Sequence, residues 1–180
     1  MIIALAGRRI DSPDAERPHF PEASLDAVRA RLRDCFRTLG AKVLVGSGAC
    51  GADLLAMHVA GELGLRRRMV LPFEPARFRR TSVADRPGDW GRLFDRIVKD
   101  VADEGGLVVL DAAGTSHAVY AVVNLAILDE AQRNSTAANL ADVVAVIVWE
   151  GAPRGADDLT ASFADEARGR GLRVVEIPSL

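Results

Sequence analysis

Six short, largely apolar runs alternate with stretches of helical periodicity, and this alternation constrains the fold more than any other feature. The runs are residues 1–6 (MIIALA), 43–45 (VLV), 69–73 (MVLPF), 107–110 (LVVL), 143–149 (VVAVIVW) and 174–177 (VVEI). Between them, residues 24–39, 52–63, 90–101, 118–131 and 159–170 repeat apolar positions at helical spacing, as in Leu25, Val28, Leu32, Phe36 and Leu39. Continuous apolar strands joined by helices must be covered on both faces. The expected fold is therefore α/β, a three-layer Rossmann-like sandwich around a mostly parallel sheet, with residues 1–180 as a single domain. Ligands bind such sheets beyond the carboxyl ends of the strands. Here those ends carry Gly7-Arg8-Arg9, residues 46–53, residues 74–82, residues 111–117 and Glu150.

The second of these ends reads VLVGSGACGADLL. A strand stops at Gly46, and Gly48 and Gly51 follow before a helical pattern begins. Unbonded amides and the positive helix end would converge there, an arrangement suited to phosphate. The same GxGxxG spacing also fits a plain packing turn. In the phosphate reading, Gly46, Gly48, Ala49 and Gly51 bring backbone close to the ligand, Ser47 adds a hydroxyl, and Gly48→Asp abolishes binding in a folded protein. Arg8, Arg9, Arg77, Arg79 and Arg80 are candidate phosphate partners, although Arg8 and Arg9 also fit solvated loop charges. Residues 74–82 read as a basic loop in which Glu74 could accept from a sugar hydroxyl or a base. Asp53 either favours the helix dipole and steadies the turn or bonds a ribose, with the structural role ahead. Tyr120, Phe78 or Trp149 could stack a base, though packing fits each of them better.

Several chemistries are disfavoured. The chain has 23 Lys and Arg against 25 Asp and Glu, a net charge of −2, which argues against a broadly basic nucleic-acid surface. Cys35 and Cys50 form no CxxC, and no His and Cys cluster has metal-ligand spacing, so no metal site is expected. GxxxxGK[ST] is absent, which excludes a P-loop. Gly46-Ser47-Gly48 has its serine out of frame for a nucleophile elbow. The glycine motif follows the second strand rather than the first, which disfavours an ordinary NAD dehydrogenase. No secretory leader or membrane-length apolar run is visible, so a cytoplasmic protein with free thiols is expected.

Strand one running into Gly7-Arg8-Arg9, strand two into GSGACGADLLA, then LPF and SVADR, resembles the SLOG superfamily, whose wider circle includes Lonely Guy (LOG) phosphoribohydrolases and DNA-processing proteins. The helix with Tyr120 and Asn124 (YAVVNLAILDEA) and the strand ending in VWEG are similar to bacterial SLOG domains as well. The resemblance implies a Rossmann-like domain that binds a small-molecule nucleotide or nucleotide-derived ligand at the glycine turn. It further implies a sensor in bacterial signalling or defence, and homo-oligomerisation. It requires no cofactor. LOG-type enzymes carry PGGxGTxxE, and the corresponding stretch here is residues 111–118, DAAGTSHA. Gly114-Thr115 matches the GT pair and makes Thr115 a candidate ligand residue, but PGG is missing and Ala118 replaces the glutamate. A binding role is therefore preferred over N-glycosidic hydrolysis of a nucleotide. If the chain were such a hydrolase, Glu74 or His117 would have to supply the chemistry. An assembly protein whose glycine turn only packs is the third possibility.

Overall fold

The computed structural model describes residues 1–114, 117–135 and 142–180. Its centre is β1 (Ile2–Gly7), flanked by β2 (Val43–Gly46) and β5 (Val143–Trp149). Residue Ile2 pairs with Val43 on one side and Val143 on the other. With β3 (Arg66–Leu71), β4 (Leu107–Val109) and β6 (Arg173–Pro178), the sheet has the order β4-β3-β2-β1-β5-β6. Every pairing is parallel.

The two-residue period of a strand sends alternate side chains to opposite layers. Ile3 and Leu5 join one apolar layer with Val28 and Phe36 of α1 (Leu25–Thr38), Leu54 and Met57 of α2 (Ala52–Glu62), and Phe94 and Ile97 of α4 (Trp90–Asp103). Ile2, Ala4 and Ala6 join the other layer with Val123 and Ile127 of α5 (His117–Asn134) and Phe163 and Ala167 of α6 (Leu159–Gly169). The protein is thus a three-layer Rossmann-like sandwich. After β4 the chain crosses to the second face, so that right-handed connections carry β5 to the far side of β1. This reversal makes a topological switch point beside β1, where a crevice opens. No helix of the described residues is long and apolar enough to cross a membrane.

Two segments depart from the sequence expectation. β3 starts at Arg66, three residues before the expected Met69. Its arginines pair instead of breaking the strand: Arg67 reaches Glu104 at 2.8 Å, and Arg68 is ion-paired with Glu130. Gly61 makes room for Arg67, since a Cβ there would lie 2.7 Å from its Nη1. Residues 74–82, expected as a loop, contain the helix α3 (Pro75–Ser82). Glu74 is its N-cap, accepting from the N–H groups of Ala76 and Arg77 at 2.9 Å each, and Pro75 opens the first turn.

Candidate functional site

The end of β1 carries Arg8, and its role is a correction to the phosphate reading. The side chain is fully buried. Nε donates to Glu150 Oε2, Nη1 to Asp158 Oδ1 at 2.7 Å, and Nη2 to the carbonyl of Ala152 at 3.0 Å. Asp158 also caps α6, with Oδ1 accepting from Thr160 N at 2.9 Å and Ala161 N at 3.1 Å. Burial alone would raise the Asp158 pKa, but Arg8 and the backbone donors hold it well below the carboxylate range. Glu150 is likewise held low, opposing its own burial, by Arg8 and His19. Arg8 therefore clamps the loop after β5 to β1 and has no face left for a ligand. Trp149 stands beside this clamp: the Arg8 guanidinium lies 5.9 Å from its ring, and its Nε1 donates to Glu176 at 2.9 Å.

The glycines after β2 serve packing. A Cβ on Gly46 would lie 3.3 Å from the carbonyl oxygen of Leu5. One on Gly48 would lie 3.1 Å from both Met69 Sδ and Phe94, inside the apolar layer. Gly51 has φ +108 and a notional Cβ only 2.5 Å from Ile10 N, because the segment after β1 crosses directly over it. Amides near the helix start are also engaged: Ala52 N donates to Arg8 O at 3.0 Å and Leu54 N to Ala49 O at 3.1 Å. These contacts give each of the three positions a packing reason to be glycine. A Gly48→Asp change would place a charge in the core, so it cannot separate binding from folding.

Between the glycines, Ser47 and Ala49 face the opposite way and line a cavity of about 400 Å³. Its volume lies toward the small end of the range for small-molecule sites, roughly 300–1,000 Å³. Gly7 and Arg9 from the end of β1 and Asp53 from the first turn of α2 complete one wall. The facing walls come from two helices that each present a residue triplet at i, i+3 and i+4: Phe78, Thr81 and Ser82 of α3, and Tyr120, Val123 and Asn124 of α5. Leu159 and Thr160 of α6 close the end. Tyr120 Oη and Ser82 Oγ are 3.0 Å apart, and Asn124 Nδ2 donates to Leu159 O at 2.9 Å.

Asp53 is the unusual group. Its Oδ1 is buried and has no hydrogen-bond partner. Desolvation pushes its pKa from 3.8 up to about 7, against the opposing pull of the Gly7 N–H and the Arg9 charge. Arg9 is the cation of the cavity lining. Its Nη2 is held by Asp85 and by Cys50 Sγ, and its Nε is buried without a partner. Perturbed carboxyls in clefts are recurrent marks of functional sites.

The structure therefore brings together Gly7, Arg9, Ser47, Ala49, Asp53, Tyr120 and Asn124. Arg8, Gly46, Gly48 and Gly51 do not line this cavity. Glu74 caps its own helix through both oxygens, outside the cavity. Arg77 lies over the Phe73 ring at 4.2 Å and donates to Gly114 O at 2.7 Å. Arg79 is held by Asp95 at 2.8 Å. His117 lines a neighbouring cavity between α5 and α6 and contacts Asp157 O at 2.6 Å. Thr115 lies outside the described residues. Thr81, Ser82 and Thr160 were missed. The Glu-Pro helix start at residues 74–75 was the available signal for the first two, since it places them on the face of Phe78.

Fold and crevice together define a class: an open parallel α/β sheet with a small-molecule-sized cavity at its switch point. No family model matches the sequence, and no curated protein matches it. Among solved structures, the chain is similar to DNA processing protein A (DprA) from Streptococcus pneumoniae, with 13% sequence identity and a TM-score of 0.41. The alignment covers 97% of this chain and 57% of that one, so the chain spans little more than half the length of that protein.

Proposed function

We propose that the cavity binds a nucleotide or nucleotide-derived ligand and that the protein acts as a binding or sensing domain. The observation that carries this reading is the cavity itself: about 400 Å³ at the switch point, with Arg9, the Asp53 carboxyl with its unpartnered Oδ1 and several hydroxyls set against the Tyr120 and Phe78 rings. Such a mixed wall suits a ligand with one flat apolar part and one polyhydroxylated part. The SLOG resemblance implies the same ligand class. Calorimetry with a panel of ribonucleosides, nucleoside monophosphates and dinucleotides tests it. Thr81 is exposed and lines the cavity, so Thr81→Trp should fill the site and remove binding while the melting temperature holds. Unchanged affinity in the folded variant would overturn the site assignment.

A second reading, N-glycosidic hydrolysis, is favoured by one observation: the Asp53 carboxyl stands at the cavity with Oδ1 buried and unpartnered, and burial pushes its pKa up. It would rest on Asp53 rather than on Glu74 or His117. Chromatography of nucleoside monophosphates after incubation decides it, through free base that appears with the wild type and not with Asp53→Asn. Self-association is also proposed, through α5, where Val122 and Leu125 are exposed at 52% and 41%. A monomer by light scattering at working concentration refutes it.

A further inference from the structure

We infer that the cavity recognises the vicinal hydroxyl pair of a ribofuranosyl group, with Asp53 as the acceptor that selects ribose over 2′-deoxyribose. The inference rests on the nucleotide reading above and specifies which part of the ligand enters.

The positive charges near the crevice are largely committed. Arg8 is saturated by Glu150, Asp158 and Ala152 O, and Arg77 and Arg79 are turned to Gly114 O and Asp95. Among the described residues Arg9 is the one cation that lines the cavity, with its Nη2 already shared between Asp85 and Cys50. The amides of Ala52 and Leu54 are occupied by Arg8 O and Ala49 O. A site built for several phosphates would need these groups free.

What the cavity offers instead is an acceptor lacking donors. Asp53 Oδ1 is buried with no partner, and such a group carries a desolvation penalty until a donor reaches it. Two adjacent hydroxyls present two O–H donors at the spacing of a carboxylate's two oxygens. The other polar side chains of the wall, the hydroxyls of Ser47, Thr81, Thr160 and the Ser82–Tyr120 pair and the amide of Asn124, are neutral and suited to a sugar and not to a polyanion.

Donation by the hydroxyls stabilises the ionised carboxylate, so binding is coupled to proton release from Asp53. Burial, the Gly7 N–H and the Arg9 charge set this titration; Tyr120 of α5 lines the same cavity, and Cys50 and Asp85 hold Arg9 from behind. Ribosyl ligands should therefore bind more tightly at pH 8 than at pH 6.

The test is calorimetry with the four ribonucleosides and their 5′-monophosphates, each paired with its 2′-deoxy counterpart, at both pH values. A hydrogen bond to a charged group corresponds to at least about a tenfold preference for the ribo member. That preference and the pH dependence should collapse in Asp53→Asn and Asp53→Ala, both checked for folding by thermal melts. Equal affinity of wild type for ribo and deoxy partners overturns the inference while leaving nucleotide binding in place. A preference that survives in both variants overturns the role of Asp53. Binding of no probe overturns both this inference and the reading on which it rests.

Discussion

Replacing Asp53 with asparagine should make the unliganded protein more stable, and increasingly so as the pH rises to neutrality. The Asp53 carboxyl has its pKa raised by burial from 3.8 to about 7. Below the unfolded value both states hold the proton, and the group has no effect on stability. Between the two values the unfolded chain has released its proton and the folded chain has not, so stability falls as pH rises. Above the folded value both are ionised and the loss is complete. The gap is about three pH units, and each corresponds to about 1.4 kcal/mol, giving a ceiling of about 4 kcal/mol. Asparagine keeps the shape and an oxygen facing the Gly7 N–H but carries no charge to desolvate. Urea unfolding of both proteins at pH 5, 6, 7 and 8 should show the variant's advantage growing by up to about 1.4 kcal/mol per pH unit and levelling above pH 7. A variant less stable than wild type at pH 8, or an advantage that does not change with pH, would refute the reasoning.

The buried clamp gives the opposite pH behaviour. Arg8→Ala leaves Glu150 and Asp158 without their cation and should lose about 3–5 kcal/mol in chemical denaturation. Both carboxyls are held below their ordinary values, so wild-type stability should also fall as pH drops below about 4, a dependence the variant lacks. Gly48→Asp, which drives a carboxylate against Met69 and Phe94, should lower the melting temperature sharply or yield insoluble protein. Glu74→Ala removes a helix cap and should lose about 1 kcal/mol in urea unfolding, with ligand affinity unchanged in calorimetry.

The architecture was legible because its signals are local and repeated. The run VVAVIVW is buried at every position, and a run of that kind has few alternatives to a central parallel strand. The missed start of β3 has a physical cause: Arg67 and Arg68 neutralise themselves against Glu104, just past the end of α4, and Glu130 of α5, which lie 37 and 62 residues away in sequence. The site was only half legible for a related reason. Residue type announced that Arg8, Arg9 and the glycines could meet an anion, but the direction of each side chain is set by contacts far along the chain. Glu150 and Asp158, which occupy Arg8, come from the opposite end of the sequence. The triplet on α3 was hidden by reading Glu74-Pro75 as loop chemistry when it is a helix start.

The contrast between two neighbouring ionic groups is the strongest internal argument for a ligand. Arg8 and Arg9 are adjacent in sequence and both sit at the end of β1. At Arg8, every charge has a partner: Glu150 and Asp158 surround the guanidinium, and Asp158 collects backbone donors as well. At Arg9, one side is paired with Asp85 while Nε remains bare, and Asp53 stands at the same cavity with an empty Oδ1. The unpaired acceptor of Asp53 lowers the stability of the protein until a donor reaches it. At one and the same ligand concentration, binding should therefore raise the melting temperature of wild type by more than it raises that of Asp53→Asn, because the stabilisation is RT ln(1 + [L]/Kd) and the variant binds more weakly.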